Sequence, residues 1–145
     1  MKITICGSLS FSKEMINIQK KLNVLGHEVI LPYTTGRLLN GELEMKDIHE
    51  MKENLDMIID YAKNVDAIKK HNNEIKNSDA ILVLNLEKKG IKNYIGANTF
   101  LEMGFAYVLD KKIFLFNEIP EMEYHKEEIG VMEPIVLNGD LSKIQ

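Results

Sequence analysis

Cysteine and arginine each occur once in this chain, proline occurs three times, and no apolar run approaches the length of a membrane span. The single cysteine, Cys6, excludes an internal disulfide, and its place in an apolar run reads as a buried thiol. With Arg37 the only arginine, planar bidentate recognition of an anion falls to that residue alone. The formal net charge is −4 with the two signs interspersed, so no basic face is set aside for a nucleic-acid polymer. The four histidines, His27, His49, His71 and His125, have neither helical pair spacing nor a cysteine partner in sequence, and no metal or other cofactor is expected. There is no signal-peptide layout, and the expectation is a soluble cytoplasmic protein without a membrane role.

What is present fits one domain over residues 1–145 with a single core. Hydrophobic residues make up 45% and charged residues 28%, a globular balance. Met1–Cys6 reads as a strand rich in β-branched residues, and Gly7-Ser8 breaks it. A helix follows from about Lys13 to Leu25, capped by Ser10 or Ser12, and His27–Leu31 is a second strand stopped by Pro32. This order is a right-handed βαβ unit with parallel strands. Its first turn therefore lies at the sheet edge where open α/β folds bind ligands.

Tyr33–Gly41 reads as a polar loop over the same edge. Glu42–Asn77 lacks Gly and Pro and reads as helices over about Met45–Ala62 and Val65–Asn77, with Met51, Leu55, Ile58, Ile59 and Ala62 as an apolar stripe. Ile81–Leu84 is a central buried strand by its unbroken apolar character. Asn85–Ile95 is a loop around Gly90. Gly96 and Asn98 form a turn with Asn98 as helix cap, followed by a helix with Glu102 near its first turn and Leu101, Phe105, Val108 and Leu109 on its buried face. Ile113–Phe116 is a further buried strand. A short helix around Tyr124–Ile129 and a strand at Ile135–Leu137 complete the chain. The fold class expected is an α/β three-layer sandwich with a five-stranded parallel sheet, Rossmann- or flavodoxin-like.

The loops after the strands converge on one edge. They bring small polar groups at Gly7, Ser8, Ser10, Asn85, Gly96 and Asn98 together with Arg37, Tyr33, Tyr94 and the carboxylate of Glu102. From the residues alone, Glu102 reads either as a group for chemistry or as a complement to its helix dipole.

These segments resemble the nucleoside 2-deoxyribosyltransferase superfamily, and within it the deoxynucleoside 5′-monophosphate N-glycosidases. Glu102-Met103-Gly104-Phe105-Ala106 is similar to that superfamily's E-L-G-Y-A segment, Ile5-Cys6-Gly7-Ser8 to the C-G-S turn of the N-glycosidases, and Ser78-Asp79-Ala80-Ile81 to the start of the central strand. The resemblance implies that Glu102 attacks C1′ of a nucleoside or 5′-monophosphate and expels the base. A glycosyl ester forms, and water or a second base resolves it with net retention. It implies that Gly7, Ser8 and the Ser10–Ser12 segment hold the 5′ end, and that the protein is a homo-oligomer, a dimer by expectation.

Three positions depart from the pattern. Gly96 stands where the transferases carry an aspartate, His71 where the N-glycosidases carry one, and Phe11 where the first loop often has a tyrosine. A histidine at position 71 can supply the proton for the departing base. The departures keep a second reading open, a catalytically silent module that binds or senses a nucleotide on the same scaffold. A third is a partner-binding protein that uses the apolar helices around Met45–Ala62.

Overall fold

The computed structural model describes residues 1–145. Five strands, β1 (Lys2–Cys6), β2 (Glu28–Ile30), β3 (Ala80–Val83), β4 (Lys112–Leu115) and β5 (Ile135–Val136), form one all-parallel sheet in the order β2-β1-β3-β4-β5. Seven helices connect and cover it: α1 (Ser12–Val24), α2 (Tyr33–Leu39), α3 (Met45–Glu53), α4 (Leu55–Asn64), α5 (Ala67–Lys76), α6 (Ala97–Val108) and α7 (Lys126–Met132). This is a three-layer α/β fold with flavodoxin-like strand order, as the alternation of elements led one to expect. No helix is long and apolar enough to cross a membrane.

Strand alternation divides the core in two. Ile3, Ile5, Leu82 and Phe114 point to one face and pack on Met15, Ile18 and Leu22 of α1. Cys6, Ile81, Val83, Ile113 and Leu115 point to the other and meet Ile75 of α5, Met103 and Ala106 of α6 and Ile129 of α7. Both faces of β3 are buried, which is why its sequence runs apolar without a break.

Five local readings are corrected. The stretch after Pro32 is helical: α2 buries Thr34 and Thr35, and Thr35 Oγ1 lies 2.8 Å from Ser12 Oγ of α1. That packing overrides the loop-like composition. The Met45–Ala62 helix is two helices, divided at Asn54. This residue ends α3, and its side chain accepts the Met57 N–H of α4 at 3.0 Å. The stripe on α4 is not core either, for the helix buries no residue and Leu55 is 71% exposed.

In α6 the cap is Gly96, not Asn98, and the helix begins at Ala97. Its buried face is Thr99, Glu102, Met103 and Ala106, while Leu101, Val108 and Leu109 face outward. Both sets follow an i, i+3, i+4, i+7 pattern or close to it, so spacing alone does not choose between them. The consequence is a carboxylate in the middle of a buried helix face.

Candidate functional site

Strand order reverses between β1 and β3, and the crevice beyond their C-terminal ends is where such sheets bind ligands. A cavity of about 410 Å³ lies there, lined among others by Gly7, Ser8, Lys52, Tyr61, Gly96 and Asn98. Its volume is in the range of small-molecule sites.

The chain enters this crevice at Gly7. A Cβ there would sit 2.9 Å from the Met15 side chain and 3.1 Å from the Leu84 carbonyl, so the close approach of the two strand ends demands glycine. The next residue, Ser8, caps a 3₁₀ turn over Leu9–Phe11, its Oγ accepting the Ser10 N–H. The same oxygen accepts from Lys52 Nζ at 3.0 Å and Lys88 Nζ at 2.8 Å, and Lys52 Nζ also reaches Ser10 Oγ at 3.1 Å. Lys88 is brought there by a tight hairpin: its N–H and C=O pair with Ile91, and Lys89 and Gly90 at the tip both have positive φ. Two ammonium groups thus converge on one hydroxyl, and no carboxylate lies within ion-pair distance of either. Burial, and after it Lys88, lowers the Lys52 pKa to about 7. An arrangement of this kind is suited to an anion.

At the other side, Asn98 and Thr99 of α6 line the cavity, and Glu102 lies one turn behind Asn98. The Asn98 amide donates to Glu102 Oε1 at 3.0 Å. His71 Nε2 of α5 lies 3.7 Å from that oxygen, and Cys6 Sγ at the end of β1 lies 3.5 Å from the same nitrogen. All three side chains are buried, with Glu102 at 7% and His71 at 8% exposure. Burial raises the Glu102 pKa to about 8 against the opposing hydrogen bonds from Cys6 and Asn98. Burial likewise lowers the His71 pKa to about 4, with a weaker contribution from the Ile5 carbonyl in the other direction. It raises the Cys6 thiol well above its ordinary range, and the neighbouring Glu102 adds to this. The helix dipole, which would favour an ionised Glu102, is thus outweighed. The residue sits in the second turn of α6, where the dipole has faded and desolvation dominates.

The structure places the remaining sequence candidates unevenly. Gly7, Ser8, Gly96 and Asn98 line the cavity, and Ser10 touches it through Lys52. Phe11 belongs to the core on the α1 side of the sheet. Asn85 is fully buried: its amide donates to the Asn117 and Glu118 carbonyls and its Oδ1 accepts the Asn117 N–H, so it ties down the segment after β4. Arg37 stands behind Tyr61, donating to the tyrosine hydroxyl at 3.3 Å and to Glu42 at 3.0 Å. Lys52, Lys88 and Tyr61 were not legible as site residues. Each comes from a segment with many similar residues, and only the tertiary fold selects it. Cys6 beside His71 was likewise hidden, the two being 65 residues apart.

No protein-family model matches the chain, and no curated protein matches it. Solved structures do. One is a 2-deoxyribosyltransferase from the psychrotolerant bacterium Bacillus psychrosaccharolyticus, with a TM-score of 0.52 and 21% identity over 80% of this chain and 72% of that one. Another is the CMP N-glycosidase BcmB of Clostridium botulinum, with a TM-score of 0.50 and 16% identity over 94% of this chain and 84% of that one. The chain therefore has the fold of these two solved structures.

Proposed function

We propose that the protein cleaves or transfers the N-glycosidic bond of a nucleoside or, preferentially, a nucleoside 5′-monophosphate, with Glu102 as nucleophile. The observation that carries this reading is the Lys52–Lys88 pair on a crevice whose α6 wall has Glu102 one turn behind Asn98. The buried carboxylate lies behind its α6 wall and two unpaired ammonium groups sit on Ser8. A 5′-phosphate accepted by Ser8 and the lysines would direct C1′ toward α6.

Glu102 must lose its proton before it attacks. That proton goes to solvent as pH nears 8, and His71 Nε2, 3.7 Å from the carboxylate, stands where a proton for the departing base would be relayed. The relayed proton leaves with the departing base, and the water or second base that resolves the ester gives up a proton in its turn, which restores the pair. Water or a second base resolves the ester at C1′. The likeness to a deoxyribosyltransferase and an N-glycosidase supports the reaction class. The test is release of free base from a panel of ribo- and deoxynucleosides and their 5′-monophosphates. Base release that depends on Glu102 supports the reading.

One observation favours the binding-module reading instead: burial keeps Glu102 protonated at neutral pH, with Gly96 where a carboxylate partner would stand. Tight nucleotide binding with no turnover of any panel member would decide for it. We also propose a homodimer. Apolar side chains stand exposed on three successive packed helices, among them Leu55 and Ile59 of α4, Ile68 of α5 and Leu101 and Val108 of α6. Light scattering is expected to give twice the chain mass, and a monomer at working concentration would contradict this.

A further inference from the structure

We propose that Cys6, His71 and Glu102 form a binding site for a divalent transition-metal ion of the zinc class. The three donors come from different elements, β1, α5 and α6, yet their ligand atoms all lie within 4.8 Å of one another. Sγ and Nε2 are 3.5 Å apart, and Nε2 and Oε1 are 3.7 Å apart. A tetrahedral zinc ion with sulfur at ~2.3 Å and nitrogen and oxygen at ~2.0 Å sets neighbouring donors about 3.3–3.7 Å from each other. Two of the three donor pairs thus already stand at the spacing of a bound ion. The third pair, Sγ and the carboxylate oxygen, lies within 4.8 Å and must close by about 1 Å on binding.

Charge balance agrees. The ion binds a thiolate, a carboxylate and a neutral imidazole, and the protons of Cys6 and Glu102 pass to solvent. The dication and two anions sum to zero, which suits a buried position. Of the three donors only His71 also lines a small cleft of about 160 Å³, with Tyr33 and Glu74. Thiolate and imidazole favour zinc or cobalt and disfavour magnesium or calcium, which require oxygen donors. If Glu102 is the nucleophile proposed above, a bound ion withdraws it from reaction, and the metal is an inhibitor. That consequence rests on the proposed function, whereas the site itself does not.

The experiment is titration of the tag-free, metal-free protein with Co²⁺, read by absorption rather than activity. Cys6 is the only thiol in the chain, so a thiolate-to-cobalt charge-transfer band reports this site alone. The expected result is a band that saturates at one equivalent, is erased by Zn²⁺, is indifferent to Mg²⁺ and is absent in Cys6→Ser. His71→Ala and Glu102→Gln, checked for folding by circular dichroism, are expected to weaken the affinity by more than about tenfold. Cobalt binding without a thiolate band in the folded wild-type protein, or no binding, would overturn the site whatever the variants do. So would an unchanged band and affinity in both His71→Ala and Glu102→Gln. Loss of the catalytic reading would leave the spectrum untouched, so the two ideas fail separately.

Discussion

Asn98 and Glu102 are joined across one turn of α6, the amide donating to the carboxyl oxygen at 3.0 Å. Asn98 faces the cavity and Glu102 is buried behind it, so this bond couples the cavity wall to the only buried carboxylate of the chain. It also opposes the desolvation that raises the Glu102 pKa. Removing it in Asn98→Ala is expected to push that pKa higher still. The rising limb of kcat/KM against pH should move up by about one unit. An unchanged pH profile would show that Asn98 does not govern the ionisation.

The buried pair leaves a signature in stability. Glu102 titrates near 8 when folded against an ordinary 4.5, so the stability it contributes is complete below 4.5 and is lost as pH rises toward 8. His71 titrates near 4 against 6.5, so its contribution is complete above 6.5 and is lost as pH falls toward 4. Between 4.5 and 6.5 the two slopes oppose each other, and from 6.5 to 8 that of Glu102 acts alone within the pair. Glu102→Gln is expected to remove the fall, which amounts to at most about 1.4 kcal/mol per pH unit. Its urea midpoint, measured in chelator, should therefore gain on wild type steadily from pH 5 to 8. Lys52, lowered to about 7, titrates alike in both proteins and cancels in the difference. Parallel curves would mean that Glu102 is ionised when folded.

At the other side of the crevice, Lys52→Met is expected to raise KM for 5′-monophosphates by about tenfold or more. It should leave the unphosphorylated nucleosides nearly unaffected. Because the Lys52 pKa lies near 7, wild-type affinity for the monophosphates should also decline from pH 7 to 8.5, and this decline should vanish in the variant. Equal effects on nucleosides and monophosphates would place the lysine pair outside phosphate recognition.

Much of the architecture could be read from the chain because the central strands are buried on both faces. Ile81–Leu84 and Ile113–Phe116 are unbroken apolar runs, and Gly7-Ser8 marks the end of β1. The helices were harder. Tyr33–Leu39 contains two threonines and a glycine, yet it is helical because Thr34 and Thr35 are buried, Thr35 against Ser12 of α1. The site divides in the same way. Gly7 and Ser8 lie at a strand-to-helix turn, and Gly96 and Asn98 at the start of α6, places that sequence reveals. Lys52 lies in α3 and Lys88 at a hairpin, and no local pattern ties either to Ser8. The burial of Glu102 could not be read because it follows from which of two similar faces of α6 packs inward, and tertiary contacts alone decide that.

The central claim is that the Glu102 carboxylate forms the bond to C1′. Its most direct measurement is free base by liquid chromatography from each nucleoside and 5′-monophosphate, with wild type and Glu102→Gln side by side and both shown folded. The expected result is base from one substrate or a small set with wild type, reduced about 10³-fold or more in the variant. Base release retained in Glu102→Gln would contradict the account.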